Sequence, residues 1–240
     1  MNQELPPLKE FLLANEIPFD GNFIRLPEYT KRINLDIGTS FYAPHSNVWL
    51  KRSDELFVFG FEPVKENIDK LKSGTKPGIG FPEAIDHNVL NKKMFIIPCA
   101  LGEHNKKTTL YVTTNHSDCS SIYEPVDFQY YKSLIPMYRL EEFLKLIKHE
   151  FIDYIKIDTQ GSDLEVVKGG GDELCNRVIY ITLEPNNDQY IGTNNSEETI
   201  NKYMESIGFI RINLELTNDP TFVNSRLISK TDGCIVFQKT

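Results

Sequence analysis

Cysteine is scarce in this 240-residue chain. Cys99, Cys119, Cys175 and Cys234 are all it has, and no two stand in a Cys-x-x-Cys pair. That spacing argues against a zinc ribbon or a dithiol redox site and predicts a reduced, cytoplasmic protein. No apolar run is long enough to span a bilayer. The opening Met-Asn-Gln-Glu-Leu-Pro-Pro has neither the basic residues nor the apolar stretch of a secretory leader. Positive charge is short as well: 26 Lys and Arg against 34 Asp and Glu leave a net charge of -8. The basic pairs Lys31-Arg32, Lys51-Arg52 and Lys106-Lys107 are isolated, so no basic stripe forms. Such a surface repels a phosphate backbone and an anionic membrane, and neither is expected as a partner. Internal repeats and low-complexity tracts are absent too.

What remains is ordinary globular composition, 40% hydrophobic and 25% charged. The length suits one large domain with an arm. Residues 1–30 read as that arm, with a helix after Pro6 and Pro7 and a turn at Asp20-Gly21-Asn22. From residue 31 to 240 the pattern alternates strand and helix. Strands are expected at 33–37, 56–61, 94–99, 108–113, 152–158 and 178–183, several apolar throughout, as strands covered on both faces are. Helices are expected from Pro63, over 140–147 and 162–168, and from a capping box at Asn195-Ser196-Glu197-Glu198 to Gly208. Two β-like runs close the chain, 209–216 and 233–239, with a hairpin or loop around Asn218-Asp219-Pro220. Two long loops interrupt the alternation. Residues 73–93 hold Gly74, Pro77, Gly78, Gly80 and Pro82; residues 113–136 form a candidate lid.

Chemistry concentrates at the strand ends. The run Asn34-Leu35-Asp36-Ile37-Gly38 is a strand breaking into a glycine turn, and Phe61-Glu62-Pro63 ends the next strand on a carboxylate. In doubly wound α/β folds a Gly turn followed by an acid at the next strand tip holds an adenosine ribose. After Gly38 no further Gly follows at dinucleotide spacing, so a pyrophosphate has no cradle and an adenosine ligand without phosphates is favoured. A third strand, Ile155-Lys156-Ile157-Asp158-Thr159-Gln160, puts Lys156 and Asp158 on one face and carries Asp158 and Gln160 to the ligand edge. Glu184 ends the strand after it.

The ordered set Asn34-Leu35-Asp36-Ile37-Gly38, Glu62-Pro63, Cys99-Ala100-Leu101-Gly102, Cys119-Ser120-Ser121-Ile122, Lys156-Ile157-Asp158-Thr159-Gln160-Gly161 and Leu183-Glu184-Pro185 resembles the FkbM-type S-adenosylmethionine-dependent methyltransferases, over residues 31–186. The resemblance implies a doubly wound, mostly parallel Rossmann-like sheet of seven strands with an antiparallel C-terminal strand and helices on both faces. It places Asp36, Gly38, Thr39 and Ser40 under the methionine end of the cofactor. Glu62 and Pro63 fall at its ribose, and Ala100, Leu101, Ser120 and Ser121 at the adenine or methyl end. Asp158 and Gln160 would face the reacting centre. Gln160 stands where the family usually has Glu, and Thr39-Ser40 replace its usual further Gly and Asn.

The function so implied is O-methylation of a small-molecule or saccharide hydroxyl. Asp158 is the leading candidate to orient or deprotonate that hydroxyl, with the loop residues His116 and His87 behind it. Tyr123, Phe128, Tyr130, Tyr131 and Tyr138 offer flat faces to a ring substrate or pack on the core. A divalent metal between Asp158 and Glu184 is conceivable, though no spacing demands one. Two alternatives stand beside this reading: a metal-dependent hydrolase using Asp36, Asp158 and Glu184, and a non-catalytic scaffold that keeps the fold.

Overall fold

The computed structural model describes residues 4–74, 83, 85–185, 188–213 and 219–232. Its central sheet is made of β1 (Arg32–Ile37), β2 (Leu56–Phe61), β3 (Met94–Ile97), β4 (Ile152–Ile157), β5 (Val178–Leu183), β6 (Phe209–Ile212) and β7 (Thr221–Asn224). The spatial order is β6-β7-β5-β4-β1-β2-β3. Strands β1 to β5 run parallel, and β7 runs antiparallel to both β5 and β6. The expected doubly wound sheet with an antiparallel strand is therefore present.

Strands β2 and β4 are buried along their whole length, as strands with helices on both faces must be. The register sorts side chains cleanly. Leu35 lies opposite Phe59 and Ile155, and on that face Phe59 and Phe61 meet Phe143 of α4 (Leu140–Lys145) at ring distances of 5.1 and 4.8 Å. On the other face Tyr154 meets Trp49 of α2 (Pro44–Arg52) at 5.3 Å. The strands' polar residues Asn34, Asp36, Lys156 and Thr182 lie in register on this α2 face. Burying them requires partners, and they gather where the ligand edge begins.

Helix α3 (Lys65–Ser73) follows β2. Glu66 sits in its first turn and Lys70 and Lys72 in its last, matching the helix dipole. Gly74 ends it with φ +66°, a left-handed cap that needs no Cβ. Helices α5 (Asp163–Lys168) and α6 (Gly171–Arg177) link β4 to β5, and α7 (Glu197–Ser206) precedes β6. Ser196 caps α7 by accepting from the Thr199 amide. Asn195 belongs elsewhere: its Oδ1 accepts from the Leu164 amide and its Nδ2 donates to the Glu184 carbonyl, tying α5 to the end of β5.

The N-terminal segment is docked. Leu8 and Leu12 of α1 (Leu8–Ala14), with Ile17 and Ile24, join the principal core cluster, and Tyr138 Oη donates to the Pro6 carbonyl at 3.0 Å. The expected strand at 108–113 forms, as Lys106–Thr113, but in a separate three-stranded sheet with Ala100–Gly102 and Tyr130–Arg139. The last seven residues of the expected lid, 130–136, thus belong to a regular strand, and the residues before them include the loop that reaches the main sheet's edge.

The antiparallel strand is Thr221–Asn224, in the segment read as a loop. All four of its residues are buried, and Thr221 shares a hydroxyl bond with Thr182 at 2.7 Å. Four residues are too few to show alternation, and the preceding Asn-Asp-Pro dominates the pattern. The run expected at 233–239, and residues 75–82 and 84 of the excursion at 73–93, lie outside the described residues.

Candidate active site

Chain order reverses between β1 and β4, which opens a crevice at the carboxyl ends of the strands. Ile37 pairs with Phe61 and Ile157, and Ile157 pairs with Leu183. The residues that follow, Gly38, Glu62, Asp158 and Glu184, therefore leave the sheet at one edge.

An open cavity lies there, about 550 Å³ with its solvent-filled mouth counted in. Its wall includes Gly38, Ser40, Glu62, Pro63, Ala100, Leu101, Ser120, Ser121, Asp158 and Gln160, so ten of the thirteen sequence-derived site residues meet around one space. Leu110, Ile122, Val64 and Cys99 give it an apolar side, and Asp118 enters from the 113–136 segment.

Glu62 is 4% exposed and held rigidly. Its Oε2 accepts from the Ser40 amide and its Oε1 from the Val64 amide, both at 2.8 Å. The Asn67 side chain bonds the same carboxyl, and burial pushes its pKa up to about 7 against the opposing pull of these donors. Beside it, the buried Ser40 Oγ has no hydrogen-bond partner among the described residues. The Ser40 backbone is left-handed, φ +61°.

Asp36 and Thr39 lie beneath the cavity wall. Asp36 accepts from the Ser46 hydroxyl of α2, and burial lifts its pKa to about 6. Thr39 Oγ1 donates to the Asp36 carbonyl at 2.8 Å and its amide to Phe61 at 3.1 Å. Both residues shape the turn.

His116 is exposed, packs against Phe128 at 6.0 Å, and lines a neighbouring groove with Phe41, Glu66, Lys70 and Tyr131. His87 is exposed in a short 3-10 turn. The loop aromatics have fixed partners: Tyr123 bonds Glu165, Tyr130 bonds Glu124 and Tyr131 bonds Glu66. Ser121 Oγ donates to the Gln160 carbonyl at 2.6 Å, and Ser120 Oγ to Ser117 at 2.9 Å.

At the Asp158 end the polar groups are dense. Lys156 is 1% exposed; its Nζ stands 3.8 Å from Asp158 Oδ2 and 3.5 Å from Asp219 Oδ2. Burial pulls its pKa down, but these carboxylates outweigh it and the net shift is upward. Burial likewise raises Asp158, and Lys156 with bonds from Glu184 and Gln160 brings it below the usual range. Gln160 Nε2 donates to Asp158 Oδ1 at 2.7 Å and to Glu184 Oε2 at 3.1 Å. Its Oε1 accepts from Tyr190 Oη at 2.8 Å. Asp163 Oδ1 accepts from the Thr159 amide and hydroxyl, and its Oδ2 from the Glu184 amide.

Sequence reasoning passed over His45, Asp163, Tyr190 and Asp219. His45 stands on the first turn of α2, charge-coupled to Lys156, Asp158 and Asp219; burial lowers its pKa to about 4 and leaves the ring neutral. The available signal was Ala43-Pro44-His45-Ser46, a Pro-initiated helix start directly after the glycine turn. A metal site at Asp36, Asp158 and Glu184 is not assembled, since Asp36 turns to Ser46. Among the described residues no three His, Cys, Asp or Glu side chains are placed to hold an ion. No helix among them is long and apolar enough to cross a membrane.

Residues 36–211 match the family model of the methyltransferase FkbM domain. Among solved structures, the methyltransferase FkbM from Methylobacillus flagellatus KT is similar at 13% identity and TM-score 0.51, over 86% of this chain and 46% of that one. This chain thus spans about half the length of that relative. Human methyltransferase 10 domain containing protein aligns at 11% identity and TM-score 0.40, over 92% of this chain and 85% of its own. A SAM dependent methyltransferase from Aquifex aeolicus aligns at 10% identity and TM-score 0.35, over 91% of each chain. No curated protein sequence matches.

Proposed function

Because the chain belongs to the FkbM methyltransferase family, we propose that it binds S-adenosylmethionine in the strand-end cavity and methylates a hydroxyl of a small-molecule or saccharide acceptor. The observation that carries this is Glu62. It is a buried carboxyl at the tip of β2, on the cavity wall, fixed by the Ser40 and Val64 amides and the Asn67 side chain. A ribose hydroxyl suits the acceptor position that these three donors leave. The unpartnered Ser40 Oγ beside it supplies a further polar contact. The apolar side formed by Leu101, Leu110 and Ile122 suits a flat base.

Bound S-adenosylmethionine supplies an electrophilic methyl on a sulfonium, whose C–S electrons return to sulfur when an acceptor lone pair takes the methyl. The protein's part is alignment and proton removal. Asp158, held below the usual carboxyl range, is ionised at neutral pH and orients the acceptor O–H. Around it stand Asp118, Asp219 and the buried Lys156, so negative groups outnumber positive ones. This charge favours a neutral acceptor over a phosphate-bearing one, and so argues against nucleic acid. The segment carrying Asp118, Ser120 and Ser121 serves as the cover of the site. The free thiols of Cys99, Cys119 and Cys175 accord with a reduced, cytoplasmic setting.

Calorimetry with S-adenosylmethionine and S-adenosylhomocysteine tests this reading. Submicromolar to micromolar binding that Glu62→Ala weakens supports it. Absence of binding by the intact protein overturns it.

A further inference from the structure

We propose that Asp158 and Glu184 form one proton-sharing carboxyl pair, clamped by Gln160, and that this pair rather than Asp158 alone receives the acceptor's proton. The chemical role rests on the methyltransferase reading; the sharing of the proton rests on geometry.

Strands β4 and β5 are parallel neighbours with Ile157 opposite Leu183, so the residues beyond them emerge side by side. One amide nitrogen, Gln160 Nε2, lies 2.7 Å from Asp158 Oδ1 and 3.1 Å from Glu184 Oε2. Its two hydrogens hold the two carboxyl groups together. Tyr190 fixes the other end of the amide, and the Ser121 hydroxyl holds the Gln160 carbonyl. The Gln160 backbone is left-handed, φ +54°, a strained conformation kept by these contacts.

Charge makes the sharing necessary. Asp158, Glu184, Asp163 and Asp219 surround a single ammonium, Lys156. Asp163 is committed as an acceptor to three donors. Lys156 divides itself between Asp158 and Asp219. Two half-buried carboxyls in contact repel when both are ionised, so one retains a proton. The holder is Glu184. Its bond to Asp158, with burial behind it, pushes its pKa up to about 9. The other titratable groups facing the pair are Cys119 and Tyr190 on Glu184, and Asp36, His45, Tyr42, Cys119 and Tyr190 on Asp158.

At neutral pH the pair carries one proton and one negative charge. When the acceptor oxygen gains a methyl carbon, its proton passes to Asp158, whose side chain is 29% exposed. The pair then holds two protons and releases one to solvent. Asp158 touches the acceptor; Glu184 and Gln160 are positioning residues acting through it.

Infrared difference titration of the intact protein reads this directly. At pH 8 the wild type should show a protonated-carboxyl C=O stretch that disappears with a midpoint near pH 9. Glu184→Gln should lack it. Asp158→Asn, which replaces the neighbouring anion by an amide donor, should keep the band and move its midpoint down by more than one pH unit. The proposal is overturned if the wild type has no such band at pH 8, or if neither substitution alters it; the wild-type result decides even if a variant fails to fold. S-adenosylhomocysteine binding, measured on the same wild-type sample, separates the two readings. A titrating band without binding keeps the pair and removes the methyltransferase function, whereas binding without the band does the reverse.

Discussion

A Cβ placed on Gly38 would stand 1.8 Å from the carbonyl oxygen of Asp158. The two backbones touch where β1 and β4 end, and the Asp158 amide donates to Ile37 at 2.9 Å just below. This contact brings the glycine turn and the Asp158 carboxylate onto the wall of one cavity.

Gly38→Ala is therefore expected to be among the most damaging single changes. The added methyl meets backbone, which cannot step aside, and φ at this position is +86°. A loss of roughly 3 kcal/mol or more follows. In a domain this size that is a fall in Tm of about 6–12 °C, measurable by calorimetry. A variant that melts like the wild type would show that the turn opens without penalty.

On the proposed reading Glu62 should give cofactor affinity a pH dependence. The ionised carboxyl is the stronger acceptor for a ribose hydroxyl, and burial raises its pKa to about 7. S-adenosylhomocysteine affinity should thus be flat above pH 8 and drop by up to about tenfold per pH unit below 7. Glu62→Gln should weaken binding by roughly ten- to a hundredfold, the loss of a charged hydrogen bond of about 1.5–3 kcal/mol, and should remove that pH dependence. Unchanged affinity in the variant would exclude Glu62 from the cofactor site.

The sheet and most of the cavity were legible because they rest on short-range signals. Apolar strands marked β1, β2, β4 and β5, and Asp-x-Gly, Glu-Pro and Lys-x-Asp marked their tips. Helix α2 was not legible: its interior is Ser46-Asn47-Val48-Trp49, with buried Ser46 and Asn47 facing Asp36 and the Glu83 carbonyl, so no apolar stripe announces it. His45 was lost with it. Tyr190 reaches Gln160 across 30 positions of chain and Asp219 reaches Lys156 across 63, contacts that exist only once β5 and β7 are paired. Local pattern marks the strand tips; which side chains meet above them is a matter of topology.

Tyr190→Phe isolates the support of the catalytic end. The hydroxyl shares its one hydrogen between Gln160 Oε1 and the Cys119 carbonyl, joining the 113–136 segment to the β4 tip. Its removal should cost about 1–3 kcal/mol and speed amide exchange over residues 117–123 while leaving β1 and β2 protected. Unaltered exchange in that loop would mean the bridge does not hold it.

The Asp158–Glu184 pair also writes itself into folding stability. Glu184 keeps its proton in the native state up to about pH 9, while an unfolded glutamate releases it near 4.5. Between those values the native state binds more protons, so stability falls as pH rises, at a limiting rate of about 1.4 kcal/mol per pH unit for one proton, or about 3–6 °C. Below pH 6.5 the neutral His45 opposes this slope, because its lowered pKa makes the unfolded state the better proton binder there. Glu62 adds to the slope only up to about pH 7. From pH 7 to about 8 Glu184 dominates; nearer pH 9 the thiols of Cys99, Cys119 and Cys175, raised by burial above their ordinary value, add to the same slope. The melting temperature of the wild type should decline across that window, and Glu184→Gln, with no proton to lose, should flatten the decline. Parallel slopes for the two proteins would place the excess proton elsewhere, and the pair would then be two ordinary carboxylates bridged by Gln160.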